Sequence, residues 1–338
     1  MKLSVIIPVR NGGVDFQTCL QALAASTRAP DEIIVVDDGS TDASANLARE
    51  FGARVETLTG AAHGPACARN RGAEIAQGDV LVFLDADVTA HADTLARIEK
   101  YLSDQPDVAA LFGSYDDRPP KPGLIARYKN LQHHYVHHHS RREASTFWAG
   151  CGAIRRAVFN AVGGFDERYA RPSIEDIELG ARMKRAGYRI WLCPDVQVAH
   201  LKKWTLQSLL RADIFDRAIP WTRLILSNAQ MPTDLNLDTK SRVSALAAWA
   251  LLAFVVLGFI APVLWLGIIA TIALLLALNF DLYRFFARRG GLIFVISAFG
   301  LHTFYFLYSS FVFGSLLVAS KFTKPCASKP GRAARQPE

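Results

Sequence analysis

Two long stretches without charged side chains constrain the fold of this chain more than any other feature. Residues 243–280 contain no Asp, Glu, Lys or Arg, and residues 290–320 contain none either. About 20 consecutive apolar residues are enough to cross a lipid bilayer, whereas a long core helix of a soluble protein normally keeps one polar face. The 338-residue chain is therefore expected to join a soluble part to a C-terminal membrane part.

The apolar region is expected to cross the membrane more than once. A single helix over residues 243–280 would be about 57 Å long, nearly twice the thickness of the hydrocarbon core. Division near Pro262 predicts three spans, at about 243–260, 263–280 and 292–319, followed by a basic tail at 321–338. Three spans place this tail across the membrane from Arg288 and Arg289. Either the third segment re-enters, or the tendency of basic loops to remain in the cytoplasm is weak here.

The net charge of +7 does not indicate a nucleic-acid-binding surface. From residue 243 onward, eight Lys and Arg residues stand against two acidic ones, which leaves a charge of +1 for the first 242 residues. Basic residues that flank apolar segments suit anionic lipid headgroups, so we expect a membrane partner and no nucleic acid. Five cysteines without a CxxC pair argue against a disulfide framework and a zinc site, and they indicate a reducing compartment.

The first 115 residues alternate short β-branched runs with helical patterns. Strands are predicted at 3–9, 32–36, 54–58, 80–84 and 108–112, and helices at 16–25, 41–51, 66–76 and 92–102. Strands that are apolar on both faces and separated by helices predict an α/β fold with a mostly parallel sheet flanked by helices. The apolar run that follows Met1 is too short for a signal peptide and is interpreted as the first strand.

Acidic residues directly follow two of these strands. Asp37 and Asp38 follow the second strand, and Asp85-Ala86-Asp87 follows the fourth. Parallel sheets bind ligands at the carboxyl ends of their strands, and carboxylates gathered there repel one another unless a cation is bound. Such carboxylates hold Mg2+ or Mn2+ and leave positions open for substrate phosphates. The alternative is that these aspartates are solvated turn residues.

Further candidate residues for binding and proton transfer lie outside these strand ends. Glu175 and Asp176 begin a predicted helix, where a carboxylate beside other acids can be tuned as a general base. The alternative is that both acids simply stabilise the helix N-terminus. Arg69 either pairs with a phosphate or caps a helix.

Aromatic residues and histidines are concentrated between residues 124 and 152. Trp148 and the turn at Gly150 and Cys151 combine a ring with a closely approaching backbone, which suits an acceptor sugar or a lipid headgroup; a core tryptophan is the alternative. The predicted helix 124–139 carries five histidines between His133 and His139. Because positions 134, 137 and 138 share one helical face, a solvated or interfacial face is favoured over a set of metal ligands.

Six motifs occur in an order that resembles the family two glycosyltransferases, which have the GT-A fold. They are LSVIIPVRN at 3–11, IIVVDDGSTD at 33–42, ARNRGA at 68–73, GDVLVFLDAD at 78–87, VGGFDE at 162–167 and IEDIEL at 174–179. The resemblance covers about residues 1–200. It implies an inverting transferase in which a base deprotonates the acceptor hydroxyl, while Mg2+ or Mn2+ supports the departing nucleoside diphosphate.

The resemblance also assigns roles position by position. It implies a nucleotide-sugar site, with a UDP-sugar as the expected donor, formed by Pro8, Val9, Asn11, Asp37, Asp38, Asp85 and Ala86. It places the metal on Asp87, with Asp85 and His200, and it makes Asp176 the general base beside Glu175.

Two positions depart from the family pattern. Arg10 stands where family members commonly have Tyr, so a guanidinium replaces the ring that stacks on the base, or the stacking is lost. The QxxRW motif of processive synthases is missing, and the sequence from Arg217 to Trp221 is a poor substitute for it. Transfer of a single sugar is therefore favoured over chain extension.

These observations together predict a multi-pass enzyme of the bacterial inner membrane. Residues 1–228 are expected to form a cytoplasmic GT-A domain, with a nucleotide-binding half at about 1–115 and an acceptor-side half with interfacial helices at 116–228. The expected reaction moves one hexose to a lipid-linked acceptor or an envelope glycan. The alternatives are a polyprenyl-phosphate glycosyl synthase and an inactive nucleotide-sugar-binding scaffold of an envelope assembly.

Overall fold

The computed structural model describes residues 1–228 and 238–322, and its soluble part is built on one eight-stranded sheet. The strands are β1 (Leu3–Val9), β2 (Glu32–Asp37), β3 (Arg54–Thr57), β4 (Val80–Leu84), β5 (Val88–Ala90), β6 (Val108–Tyr115), β7 (Cys151–Arg155) and β8 (Arg189–His200). Their order across the sheet is β3-β2-β1-β4-β7-β6-β8-β5.

The sheet is parallel in its first half and mixed in its second. Strands β1, β2, β3 and β4 run parallel, whereas β7 lies antiparallel between β4 and β6, and β5 is antiparallel to β8. The predicted fold class is confirmed, but β5, β7 and β8 were not predicted. Pro8 is tolerated because β1 pairs with β4 only as far as Ile6, so the missing N–H costs no hydrogen bond of that ladder.

Helices cover both faces of the sheet. Those of the soluble part are α1 (Gly13–Ala24), α2 (Ser44–Glu50), α3 (Pro65–Ile75), α4 (Thr94–Asp104), α5 (Leu124–His139), α6 (Arg156–Val162), α7 (Glu175–Arg185), α8 (Leu206–Arg211) and α9 (Ile219–Asn228). A π-helix over Ala212–Ala218 joins the last two. One core cluster packs under α1 and α4, and a second lies on the opposite face with α3, α6 and α7.

The C-terminal part consists of α10 (Thr239–Leu257), α11 (Trp265–Leu278) and α12 (Phe280–Phe322). Helix α12 is broken at Gly291, whose φ of 74° is a left-handed conformation that favours glycine. A third apolar cluster joins the first part of α12 to α5, with Phe286 fully buried against Tyr128. Helix α12 is therefore packed onto α5 of the soluble part.

The predicted spans correspond only partly to these helices. Helices α10 and α12 are long and apolar enough to cross a membrane, by length and composition. Helix α11 has 14 residues, fewer than the about 20 that a perpendicular crossing needs. The predicted third span, 292–319, is covered in part by protein, because Tyr308 donates a hydrogen bond to Asp213 of the π-helix. The basic tail lies outside the described residues beyond position 322.

Candidate active site

One cavity of about 720 Å³ lies at the carboxyl ends of the parallel strands and extends to α12. Most of the predicted site residues line it, namely Pro8, Val9, Asn11, Asp38, Arg69, Asp85, Ala86, Asp87, Trp148, Glu175, Asp176 and His200. Acids that are separated by up to about 140 positions in the chain, such as Asp38 and Asp176, thus face the same space. The roles assigned to these residues remain predictions.

Three predicted residues do not line this cavity. Asp37 is 3% exposed, and its Oδ1 accepts a hydrogen bond from Ser40 N at 3.0 Å, so its carboxylate is used in the turn after β2. Cys151 is fully buried in the sheet as the partner of Leu84, and Gly150 accommodates the ring of Trp148.

The nucleotide end of the cavity is organised by Asp38. Its carboxylate accepts hydrogen bonds from His63 N at 2.9 Å and from Gly64 N at 2.8 Å, which holds the loop before α3 against β2. Gly64 is needed there because its φ is 90° and a Cβ would meet the carbonyl oxygen of Ala170 at 2.5 Å. Asn11, with φ of 52°, supports the same rim by accepting a hydrogen bond from Thr41 N at 2.7 Å.

A buried arginine links two of the acidic motifs. Arg69 lies within α3 and does not cap it, and it donates to Asp85 Oδ1 at 2.7 Å and to Glu175 Oε1 at 2.8 Å. Burial raises the pKa of Asp85, and the charge of Arg69 opposes this shift. The negative charges of Asp87 and Glu175 raise the pKa of Asp85 further. Glu175 also accepts from Ser173 N at 2.8 Å, so both of its oxygens are engaged. Glu175 therefore positions Arg69 and is not available as a base.

Asp176 differs from its neighbours because no cation is bonded to it within the described residues. Its oxygens accept hydrogen bonds from the backbone N–H groups of Ala149 at 3.1 Å and Ile177 at 2.8 Å. Burial, followed by the charge of Glu175, raises the pKa of Asp176 to about 7. A carboxylate with this proton affinity is suited to accept a proton near neutral pH.

Asp87 and His200 face each other across a short gap. Asp87 Oδ2 lies 3.6 Å from His200 Nε2, and His200 Nδ1 lies 3.0 Å from Asn130 Oδ1. Although burial alone would raise the pKa of Asp87, the hydrogen bond and charge of His200 and the charge of Lys202 lower it. Within residues 1–228 and 238–322, no three His, Cys, Asp or Glu side chains form a ready-made metal site.

Of the five histidines of α5, His134 and His137 are buried, so a solvated face is wrong for these two, whereas His138 and His139 are exposed. His134 Nδ1 is 2.8 Å from the carbonyl oxygen of Tyr115, and His137 Nδ1 is 3.0 Å from that of Gly113. Burial lowers the pKa of His137 to about 4, so it is neutral at physiological pH. These side chains bind α5 to the end of β6, because a buried ring N–H must find an acceptor.

An aromatic wall runs from the acidic residues to the far end of the cavity. Tyr115 and His200 are stacked with ring centroids 4.5 Å apart, and Trp148 meets the Tyr115 ring edge-on at 4.9 Å. His133 and Trp204 extend this wall. Aromatic faces of this kind bind the apolar faces of sugar rings.

Several residues that line the cavity were not predicted as site residues, namely Tyr115, Lys129, His133, Lys202, Trp204, Arg217, Tyr305 and Ser309. Lys202 and Trp204 lie just after β8, in the same way that the acids lie just after β2 and β4. Because ligands bind at the carboxyl ends of such strands, recognising β8 in the sequence would have identified both residues. Tyr305 and Ser309 belong to α12, and no local signal in the apolar segment points to them.

Family profiles match most of the soluble part. Residues 4–163 match the profile of glycosyl transferase family 2, and residues 129–203 match one described as the N-terminal domain of galactosyltransferase.

Named relatives are similar over parts of their length. The chain is 28% identical over 236 residues to the O-antigen chain rhamnosyltransferase RfbN of Salmonella typhimurium, covering 65% of this chain and 74% of that protein. It is 30% identical over 207 residues to glycosyltransferase AglE of Haloferax volcanii, covering 59% and 66%. The 46% identity to glycosyltransferase YibD of Escherichia coli extends over 89 residues, about a quarter of each chain.

Two solved structures share the fold at low sequence identity. Mannosyltransferase PcManGT from Pyrobaculum calidifontis, in complex with GDP-Man and Mn2+, has a TM-score of 0.57 at 18% identity, covering 92% of this chain and 86% of its own. S. aureus TarS 1-349, in complex with UDP-GlcNAc, has a TM-score of 0.51 at 18% identity, covering 94% and 92%.

Proposed function

Since this chain carries a glycosyltransferase family 2 domain, we propose that it transfers a single sugar, with inversion, from a nucleotide sugar to a lipid-linked or envelope glycan acceptor. A UDP-sugar is the expected donor. The observation that carries this proposal is that Asp38, Asp87 and Asp176 line one cavity, with Asp176 lacking a bonded cation among the described residues.

Asp176 is the general base of the proposed reaction. It takes the proton of the acceptor hydroxyl as that oxygen attacks the anomeric carbon, and the bond from this carbon to the diphosphate breaks. The electron pair leaves with the nucleoside diphosphate. Attack from the face opposite the leaving group inverts the anomeric centre. Arg69 and Glu175 hold Asp85 at the donor end, which keeps that carboxylate oriented while Asp176 reacts.

The residues at the end of β4 fit a divalent cation. When the His200 ring is neutral, Asn130 Oδ1 keeps the ring proton on Nδ1, so the Nε2 lone pair faces the Asp87 carboxylate. The Asp87 carboxylate and this lone pair, 3.6 Å apart, repel each other unless they share a cation. The hydrogen bond from His200 to Asn130 is an outer contact of the kind that orients histidine ligands. Asp87 and His200 would hold Mg2+ or Mn2+ there, and the cation would supply positive charge opposite the departing diphosphate.

Helices α10 and α12 support membrane anchoring of residues 243–320, with the soluble domain 1–228 on the cytoplasmic face. Many of their apolar side chains are exposed, including Leu246 at 72% and Ile293 at 83%. Exposed apolar surface of this extent is typical of a membrane-embedded segment. An anchored active site suits an acceptor that is presented at the bilayer surface.

Replacement of the base tests the reaction. The full chain in detergent with Mn2+ is supplied with labelled nucleotide sugars and a membrane lipid extract, and incorporation of the label into lipid is measured. Asp176→Asn should lower transfer by about 10²–10⁴-fold and leave nucleotide affinity within about twofold. Asp104→Asn, at an exposed surface acid, is the matched control. Normal turnover by Asp176→Asn would remove Asp176 as the base.

The same extract separates the alternatives. An acid-labile lipid phosphate sugar, seen by thin-layer chromatography, would identify a polyprenyl-phosphate glycosyl synthase. A label joined through a stable glycosidic bond supports transfer to a sugar hydroxyl. A protein that binds nucleotide sugar and neither transfers nor hydrolyses it would be a scaffold.

A further inference from the structure

The end of the cavity nearest α12 is rich in cations. Lys129 of α5, Lys202 after β8 and Arg217 of the π-helix line it, together with Tyr305 and Ser309 of α12. Burial lowers the pKa of Lys129, and although Asp213 opposes this shift, the charges of Arg217 and Lys202 add to it. The three cations are therefore close enough to act on one another.

The carboxylate that compensates this charge is already engaged. Asp213 Oδ1 accepts from Lys129 Nζ at 2.7 Å, and Asp213 Oδ2 accepts from Tyr308 OH at 2.7 Å. Arg217 Nη1 approaches Asp213 Oδ1 only to 3.9 Å, which is too long for a hydrogen bond. Asp216 also lines the cavity, and the charge of Lys202 reaches Asp87, but neither Lys202 nor Arg217 is hydrogen-bonded to a carboxylate of the described residues.

Lys202 and Arg217 are left with donor groups that no carboxylate of the described residues binds within hydrogen-bond distance. Lys202 Nζ lies 4.4 Å from the ring centroid of Trp204. Trp204 is 8% exposed, lines the cavity, and its buried Nε1 has no hydrogen-bond partner among the described residues. A buried donor without a partner, beside two cations that no carboxylate hydrogen-bonds, fits an acceptor of negative charge.

The surroundings of these cations are apolar on the side of the C-terminal helices. Trp221 and Ala218 line the cavity beside Tyr305, and Phe215 of the π-helix is 65% exposed. A π-helix is rare, and it frequently occurs at functional sites. Here it brings Asp213 and Arg217 together on one face, between α5 and α12.

We propose that Lys202 and Arg217 bind the phosphate or diphosphate group of a lipid-linked acceptor, whose apolar chain leaves the cavity along α12. This inference rests on the proposed transferase function and specifies the acceptor class. The aromatic wall between Trp148 and Trp204 then accommodates the acceptor sugars, with the reacting hydroxyl at Asp176.

Binding of a short analogue tests the site. The full chain in detergent is titrated with farnesyl diphosphate, with inorganic pyrophosphate and with farnesol, and tryptophan fluorescence is followed because Trp148, Trp204 and Trp221 line the cavity. We expect farnesyl diphosphate to bind at least about tenfold more tightly than either fragment, because it has both charge and an apolar chain. Binding should persist with saturating UDP or GDP and Mn2+.

Arg217→Gln should lower the affinity for farnesyl diphosphate by at least about tenfold and leave the affinity for the nucleotide within about twofold of the parent's. Lys202→Gln serves as a second variant, since within residues 1–228 and 238–322 its side chain forms no ion pair whose loss would affect folding. Arg211→Gln, an exposed arginine that does not line the cavity, is the matched control and should bind as the parent does.

Three results would overturn the inference. Competitive displacement by UDP or GDP would assign the cations to the donor diphosphate, and equal binding of pyrophosphate would assign them to free anions. Parent-like affinity in both variants would exclude the two side chains. If Asp176→Asn abolishes transfer while the analogue fails to bind, only the acceptor site is wrong. If the analogue binds and Asp176→Asn turns over normally, only the proposed base is wrong.

Discussion

Removal of the Arg69 guanidinium should destabilise the soluble domain, because Asp85 and Glu175 both lose their ion-pair partner. The side chains of Arg69 and Glu175 are 5% and 6% exposed, so their ion pair is shielded from water, whereas Asp85 is 33% exposed and more strongly screened. Deleting one partner of a buried pair costs about 3–5 kcal/mol, because the other charge stays buried without compensation. Arg69→Met is therefore expected to lower stability by about 3–5 kcal/mol, mostly through Glu175.

This loss should be visible as a fall in melting temperature. For a domain of about 200 residues, 1 kcal/mol corresponds to about 2–4 °C, so Arg69→Met should melt about 10 °C below the parent. Thermal unfolding of the full chain in detergent, followed by tryptophan fluorescence, measures the difference. The matched control is Arg71→Met on the same helix, whose side chain is 42% exposed and whose ion pairs lie at the surface.

The difference should shrink at low pH. Burial raises the pKa of Asp85, and losing Arg69 raises it further, since the guanidinium opposes the shift. A carboxylate with a raised folded-state pKa destabilises the fold at pH values above it, and this penalty disappears as protons bind. The difference in melting temperature between variant and parent should therefore narrow as the pH falls. Adding Asp85→Asn and Glu175→Gln to Arg69→Met should restore part of the lost melting temperature, because both buried charges are then removed. An unchanged melting temperature in Arg69→Met, or no gain in the triple variant, would refute this reasoning.

Further outcomes follow from the same geometry. The value of kcat/KM should rise with pH and level off above about 7, because Asp176 acts in its deprotonated form and its pKa is about 7. A kcat/KM that does not fall below this pH would contradict Asp176 as the base. Asp87→Ala should remove the Mn2+-dependent part of nucleotide affinity in calorimetry, and metal-dependent binding equal to the parent's would reject the assignment. Phe286→Ala should cost about 3–5 kcal/mol and release α12 to limited proteolysis, whereas Phe280→Ala, at a ring 60% exposed, should not. Equal protease resistance of the two variants would contradict the packing of α12 on α5.

The donor side of the site was predictable because its chemistry is local in sequence. Asp38, Asp85 and Asp87 each follow a strand that is apolar on both faces, and parallel strands end at one edge of the sheet. The strands themselves were recognised by composition. What could not be predicted was how the acids are used, because hydrogen bonds from Ser40 and Gly64 decide that Asp37 turns away and Asp38 faces the cavity.

The acceptor side depends on contacts between distant segments. Strand β7 has only five residues, and its antiparallel place between β4 and β6 has no local signal. His134 and His137 have the spacing of a solvated face, yet both find carbonyl acceptors at the end of β6. Lys129, Lys202 and Arg217 lie on three elements and form no motif, so only the packed structure brings them together.

Helix α12 supplies a wall of the cavity as well as the apolar surface. Tyr308 is bonded to Asp213, and Tyr305 and Ser309 face the space where substrates would meet. Anchor and catalyst are consequently not interchangeable parts. A protein cut after residue 228 would open that space to bulk water, and grafting a foreign anchor onto residues 1–228 would change what the enzyme accepts. During divergence of such enzymes, a new acceptor would then require compensating changes in a segment that looks like a mere tether.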